Sequence, residues 1–171
     1  MQGLHDLPSL SDVADVVALN LSFNEFDRLP SLTAFASLER LNLSHNAFKA
    51  LDFNIKPSVI GGRLLRSLRY LDLSGNRRVG AVQLLDALGT RKDEAGNVIQ
   101  RSPPLEELWC GRCGIGWDIT ERAALVATLK DLSHLSVLVL ADNPATKFAK
   151  CHEKDARQLE EVAAVVLVAS T

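Results

Sequence analysis

Five stretches of the chain place apolar residues at the first, fourth and sixth of nine positions, with polar or small residues between them and an amide or thiol at the ninth. They run Val16–Asn24, Leu38–Asn46, Leu68–Asn76, Leu105–Cys113 and Leu135–Asn143. Each copy reads as a short strand whose first, fourth and sixth residues point into a shared core. A lone copy could not cover that apolar face, so the copies must stack. Stacking predicts one ladder of Leu19, Leu41, Leu71, Leu108 and Leu138. A second ladder beside it holds Asn24, Asn46, Asn76, Cys113 and Asn143, with the ninth side chain bonding the backbone of the neighbouring coil.

The string Leu-x-x-Leu-x-Leu-x-x-Asn, repeated in this way, resembles the leucine-rich repeat family over nearly the whole chain. The resemblance implies an α/β solenoid spanning residues 1–171 as a single domain. Five to six repeats wind to the right, with a curved parallel sheet inside and helices and turns on the convex side. The family accepts cysteine at the ninth position, so Cys113 does not break the second ladder. A degenerate sixth copy is read at Val162–Ser170, with Val165 at the fourth position, 27 residues after Leu138. The β-branched Val162, Val165, Val166 and Val168 argue for a strand there, whereas the alanines and Glu160-Glu161 argue for a helix over 155–169.

Fourth positions are spaced unevenly, by 22 residues from Leu19 to Leu41, then 30 to Leu71, 37 to Leu108 and 30 to Leu138. The first coil looks like the family's short cytosolic class, and the longer ones like the ribonuclease-inhibitor class with true convex helices. A helix is predicted over Val82–Leu88, after Gly80 and before Gly89, with Gly89 in the left-handed conformation that closes a helix. Another is predicted over Thr120–Leu132, opened by the capping-box pair Asp118 and Glu121 and turning Leu125, Leu129 and Leu132 inward. A third over Lys147–Glu160 sets Phe148 and Leu159 on one side and Lys147, Lys150, Lys154 and Arg157 mostly on the other, a basic stripe read as a solvated face rather than an anion site. Pro57–Leu65 is a weaker helix interrupted by Gly61-Gly62. Arg91–Asn97 reads as an exposed polar loop, and Pro103-Pro104 stiffens the approach to the fourth strand.

Composition adds limits. The 171 residues are 47% hydrophobic and 23% charged, enough for one globular core. Nineteen Lys and Arg against 21 Asp and Glu leave a net charge of −2, so no overall field draws nucleic acid or an anionic membrane. Met1–Pro8 lacks the form of a secretory signal, and the longest apolar run, Val162–Ala169, is too short to span a bilayer. Three cysteines make no disulfide framework. Without the cysteine-rich flanks of extracellular relatives, the expected location is the cytoplasm, with the nucleus or cilium as alternatives. The sequence ends at Thr171 directly after the sixth copy. The apolar layer of Val162, Val165 and Leu167 is therefore expected to be covered by further repeats of a longer array, by a partner or by a second copy.

The spacing Cys110-Gly-Arg-Cys113 invites redox or zinc chemistry, but the repeat register already explains both residues, at an inward sixth position and a ninth. The pair also closes a strand instead of opening a helix. His5, His45, His134 and His152 show no ligand spacing, and no phosphate loop or nucleophile motif is present. The sequence therefore predicts no catalytic residue, no metal and no cofactor. Trp117, in a turn before a helix, is expected to plug the core.

Function is then read from the concave face, formed by the third, fifth, seventh and eighth positions. Arg40, Asn42, Tyr70, Asp72, Glu107, Trp109, Val137 and Val139 are the expected contacts for a protein partner, because exposed Trp, Tyr and Arg most often anchor interfaces. The competing reading has Tyr70 and Trp109 packing on each other across neighbouring strands. The resemblance implies a non-catalytic adaptor of an intracellular complex, such as a cytoskeletal or ciliary one. Its alternatives are a ribonucleoprotein component, or a regulator of the GTPase-activating or phosphatase-regulating kind. A basic concave stripe would favour RNA, and only Arg40 and Arg112 stand there.

Overall fold

The computed structural model describes residues 3, 4, 7, 12–32, 34–51, 64–92, 94–100, 102–116, 118–149 and 166–167. In chain order the elements are β1 (Ala18–Asn20), β2 (Arg40–Asn42), α1 (Leu64–Ser67), β3 (Tyr70–Asp72), α2 (Ala81–Leu88), β4 (Arg91–Lys92) and β5 (Val98–Gln100). They continue with β6 (Glu107–Trp109), α3 (Ile119–Asp131), β7 (Val137–Val139), α4 (Pro144–Ala149) and β8 (Val166–Leu167). The order β1-β2-β3-β6-β7-β8 makes one parallel sheet, so each coil adds a strand beside the last, and the architecture is an α/β solenoid.

The register is the one the repeat dictates. Leu19, Leu41, Leu71, Leu108 and Leu138 stand opposite one another across the sheet. The last four are fully buried, while Leu19, on the edge strand, is half-buried. The sixth-position residues Leu21, Leu43, Leu73, Cys110 and Leu140 are buried beside them, and the buried apolar side chains form one continuous cluster. Beyond the ninth position, Phe26 and Phe48 stack with ring centroids 6.5 Å apart, and Val79, Ile115 and Ala145 continue that buried line.

The asparagine ladder is a set of bridges between coils. Asn46 Nδ2 donates to Leu21 O of the preceding coil (2.9 Å) and to Leu43 O of its own (3.0 Å), and its Oδ1 accepts from Phe26 N (3.1 Å). Asn76 repeats this with Leu43 O, Leu73 O and Phe48 N, and Asn143 with Cys110 O, Leu140 O and Ile115 N. Cys113 supplies only the donor half, from Sγ to Leu73 O at 3.2 Å. The third coil carries one extra residue at this point, and Val79 N turns back to Asn76 O (3.0 Å) instead of needing an acceptor from the ninth side chain. Asn24, in the first coil, accepts from Leu4 N (3.0 Å), and Leu4 O accepts from Glu25 N (3.0 Å). Leu4 thus takes the backbone role that Phe26 has toward Asn46 and Ala47, which the repeat pattern does not reveal.

The eighth position of each of the first five copies turns the chain through the left-handed region, with φ of 57° at Phe23, 53° at His45, 80° at Gly75, 53° at Arg112 and 58° at Asp142. Only Gly75 does so without a side-chain penalty. It is also the one with no room, since a Cβ there would lie 2.7 Å from His45 Nδ1.

Several local expectations are corrected. Gly89 is extended (φ −70°, ψ 156°) and not left-handed; the end of α2 is closed by Gly89 N donating to Leu85 O (2.8 Å). Asp118 Oδ1 caps α3 through Thr120 N and Glu121 N, but the other half of the predicted capping box is absent. Glu121 Oε2 instead accepts from Ala81 N (2.6 Å), the first residue of α2 one coil away. That carboxylate stabilises the positive end of a neighbouring helix, a choice made by the packing of α2 beside α3. Leu125, Leu129 and Leu132 do turn inward.

The insertion predicted as a loop over Arg91–Asn97 is an antiparallel hairpin of β4 and β5, whose turn includes Gly96 at φ 84°. Its turn residues are exposed, as expected. The predicted Lys147–Glu160 helix begins earlier, as Pro144–Ala149, because proline is favoured at a first helical position. Of the predicted Pro57–Leu65 helix only Leu64 and Leu65 fall among the described residues, and they open α1 at Leu64–Ser67. In the sixth copy a strand is present, but Val166 stands opposite Leu138 where Val165 is expected, a slip of one residue. Residues 57–63, 150–165 and 168–171, with Trp117, His5 and His152, lie outside the described residues, as do the coverage of the C-terminal layer and the basic stripe beyond Lys147.

The bridging asparagines predict a graded cost. Asn76→Ala leaves the buried amide of Phe48 without its acceptor and takes one donor each from Leu43 O and Leu73 O, which keep Asn46 Nδ2 and Cys113 Sγ, and is expected to lower unfolding free energy by about 1–3 kcal/mol. Asn24→Ala, at the partly exposed end, should cost about 1 kcal/mol or less. Equal midpoint shifts in urea for the two variants would contradict the bridging role.

Candidate functional site

Within each strand the central residue enters the core, and the third and fifth positions of the repeat project from the opposite face. Two rows result. Ala18, Arg40, Tyr70, Glu107 and Val137 follow one another across the sheet, and Asn20, Asn42, Asp72, Trp109 and Val139 form the row beside them. All eight predicted contact residues lie in these rows, so the sheet brings them onto one face. Arg40 is exposed and the other seven are half-buried.

The aromatic residues are held by charged neighbours. The Arg40 guanidinium lies 4.3 Å from the centroid of the Tyr70 ring, across the β2–β3 pair. Trp109 Nε1 donates to Glu107 Oε2 at 3.3 Å along its own strand. The register sets Tyr70 between Arg40 and Glu107, and Trp109 between Asp72 and Val139, so the two rings stand diagonally across the β3–β6 pair. Burial raises the Tyr70 phenol above the ordinary tyrosine range. The negative charge of Asp72 adds to the rise, Arg40 opposes it, and Glu107 adds a smaller push.

Asn42 and Asp72 have a second task. Asn42 Oδ1 accepts from Ser44 N (2.9 Å) and Asp72 Oδ1 from Ser74 N (2.8 Å), as Asn20 Oδ1 does from Ser22 N (2.9 Å). These Asx turns end three successive strands, so one oxygen of each predicted contact is committed to the scaffold. In the fourth copy Gly111 N donates across the sheet to Ser74 Oγ (3.2 Å), which leaves position 109 free for an indole.

The eighth-position row lies outside the contacts that the sequence predicts. Phe23 is 75% exposed and stacks on His45, with ring centroids 4.3 Å apart and an interplanar angle of 11°. Arg112 Nε pairs with Asp142 Oδ2 of the next coil at 2.9 Å. The signal available was the aromatic and histidine at equivalent positions of adjacent copies. Arg40, Asn42 and Tyr70 also border a shallow hollow of about 230 Å³ together with Ala18, Leu19 and Asn20.

Cys110 and Cys113 are free thiols, both buried. The side-chain hydrogen bond with Cys113 and complete burial push the Cys110 thiol well above the ordinary cysteine range. That is the opposite of what a nucleophilic or redox thiol requires. Among the described residues no three His, Cys, Asp or Glu side chains converge as metal ligands. Nor, among them, is any helix long and apolar enough to cross a membrane.

A family model described as Leucine Rich repeat matches residues 65–82, which span the third copy of the string from α1 through β3 to the start of α2. No curated protein matches the chain.

Tyr70 is the chain's single tyrosine, so its ionisation can be followed alone by ultraviolet absorbance. The phenol is expected to titrate above the ordinary range, and higher still in Arg40→Ala. Asp72→Asn should bring it down. Because the folded value is raised, its contribution to stability is present below the unfolded phenol range and is lost as pH rises through the folded value. For the thiols, Cys110→Ser puts a hydroxyl at a fully buried site and is expected to cost about 1–3 kcal/mol in thermal or urea unfolding.

Proposed function

Since this chain is a leucine-rich repeat protein, we propose that it is a non-catalytic protein-interaction module that takes its partner on the open face of the sheet. Such a scaffold serves many partners, and the site itself distinguishes among them. One observation carries it: Tyr70 and Trp109 stand on the face opposite the core, each held by a charged neighbour, Arg40 at 4.3 Å and Glu107 at 3.3 Å. Rings fixed in this way lose little further freedom on binding, which is what an interface anchor requires.

The charges support a protein partner over nucleic acid. Of the strand residues on this face, Arg40 is basic, while Asp72 and Glu107 are acidic. Phosphate binding would meet two carboxylates beside the aromatic anchors. Reduced, buried Cys110 and Cys113 fit a reducing compartment, and the cytoplasm is the proposed location for an adaptor role.

The test uses Trp109→Ala as bait beside the unchanged chain in affinity purification with quantitative mass spectrometry. A half-buried ring on the open face should cost about 1 kcal/mol of stability or less. The partner should weaken by about 2 kcal/mol or more, the usual effect of removing a hot-spot aromatic. A large drop in melting temperature with an unchanged set of captured proteins would make Trp109 a packing residue and remove this reading.

A further inference from the structure

A partner lying across this face meets strands about 4.8 Å apart. An extended segment crossing them repeats its same-side residues about every 6.7 Å and falls out of step with the rows after one strand. An α-helix repeats about every 5.4 Å, and its turns match the strands when its axis is inclined by roughly 27° from the perpendicular to them. Over the three intervals from β2 to β7, that inclination moves the axis about 7 Å along the strands, the rise of two strand residues. Two residues is also the offset between the third- and fifth-position rows. The matching diagonal therefore starts at Arg40 on β2, crosses β3 between Tyr70 and Asp72, passes Trp109 on β6 and ends at Val139 on β7.

The chemistry along that diagonal is ordered. Arg40 is exposed and oriented by the Tyr70 ring, so it presents a cation at one end. Asp72 and Glu107 follow, close enough that their charges both act on the Tyr70 phenol. Trp109 and Val139 close the line with apolar surface. The other diagonal, from Asn42 to Val137, begins at an amide whose Oδ1 is already taken by Ser44 N, and it offers no cation at its start.

We infer that the open face takes an amphipathic helix of a partner protein, with a carboxylate opposite Arg40, a basic side chain opposite Asp72 and Glu107, and apolar side chains over Trp109 and Val139. On the partner these are positions i, i+4, i+7 and i+11, which share one helical face. This inference rests on the protein-binding reading of the same face and adds the form and charge order of the ligand.

Two display libraries test it against the full chain. One presents 16-residue peptides stapled as helices, with the four facing positions randomised; the other presents unconstrained, proline-containing 16-residue peptides. The helical library is expected to yield binders with Asp or Glu at i, Lys or Arg at i+4 and apolar residues at i+7 and i+11. Arg40→Glu and Trp109→Ala, each checked by circular dichroism for an intact fold, should weaken these binders at least about tenfold. Arg40→Glu should also shift selection toward Lys at i. Helical binders with no such charge order overturn the inference. A helical library that yields nothing tighter than on the order of 100 µM also overturns it. If extended peptides bind instead and are lost with Trp109→Ala, the helix is excluded while the face stands as a binding surface. Binders indifferent to both substitutions remove the helix and the face together.

Discussion

The structure depends on one interaction repeated along its length, the side-chain amide at the ninth position bridging two coils. A solenoid coil must reverse direction after each strand, and the turn leaves backbone groups facing inward where no water can reach them. Asn46, Asn76 and Asn143 satisfy those groups by donating to carbonyls of two coils and accepting from an amide of the earlier one. The bridge sets the stacking distance, and the leucine ladders can then close without voids. Cys113 shows what the bridge minimally requires. A thiol can donate to Leu73 O but supplies no amide oxygen, and it works here because the third coil's extra residue lets Val79 N bond Asn76 O.

The same economy governs the open face. Fifth-position side chains of the first three copies close their own strands through Asx turns, so Asn20, Asn42 and Asp72 belong partly to the scaffold. From the fourth copy onward the position carries Trp109 and then Val139. The cross-strand bond from Gly111 N to Ser74 Oγ helps to hold the turn that an Asx residue would otherwise make. The face thus passes from polar groups engaged in structure to an indole and an aliphatic surface available for contact. Arg40 and Glu107 keep the aromatic rings in place, and Tyr70 carries the electrostatic mark of that crowding in its raised phenol.

On the other side of the molecule, neighbouring coils are joined by helix-end chemistry. Glu121 sits in the first turn of α3 and serves the first amide of α2. Thr90 N, just beyond α2, is in turn bonded by Asp131 Oδ2 at the end of α3 at 2.7 Å. Two carboxylates at opposite ends of one helix therefore tie it to the next, and the β4–β5 hairpin leaves the body directly after this tie.

The sequence by itself determined the strands, their register through the first five copies, the leucine and asparagine ladders and the face on which Arg40, Tyr70, Glu107 and Trp109 meet. Those features follow from the apolar spacing within each copy and from copying it, so each coil's environment is its neighbour's and local pattern fixes the long-range contact. Tertiary structure decided whatever one coil does to another beyond the pattern. It sent Glu121 across to α2 instead of back to its own cap, set Val166 opposite Leu138, made a hairpin of the insertion, and placed the Leu4 backbone against Asn24 and Glu25. It also brought the Arg40 guanidinium over the Tyr70 ring and the Trp109 indole to Glu107 Oε2. A spacing rule says which residues share a face, but the contacts among them depend on which atoms of adjacent coils come within hydrogen-bonding and van der Waals reach, and that is settled only when the coils pack.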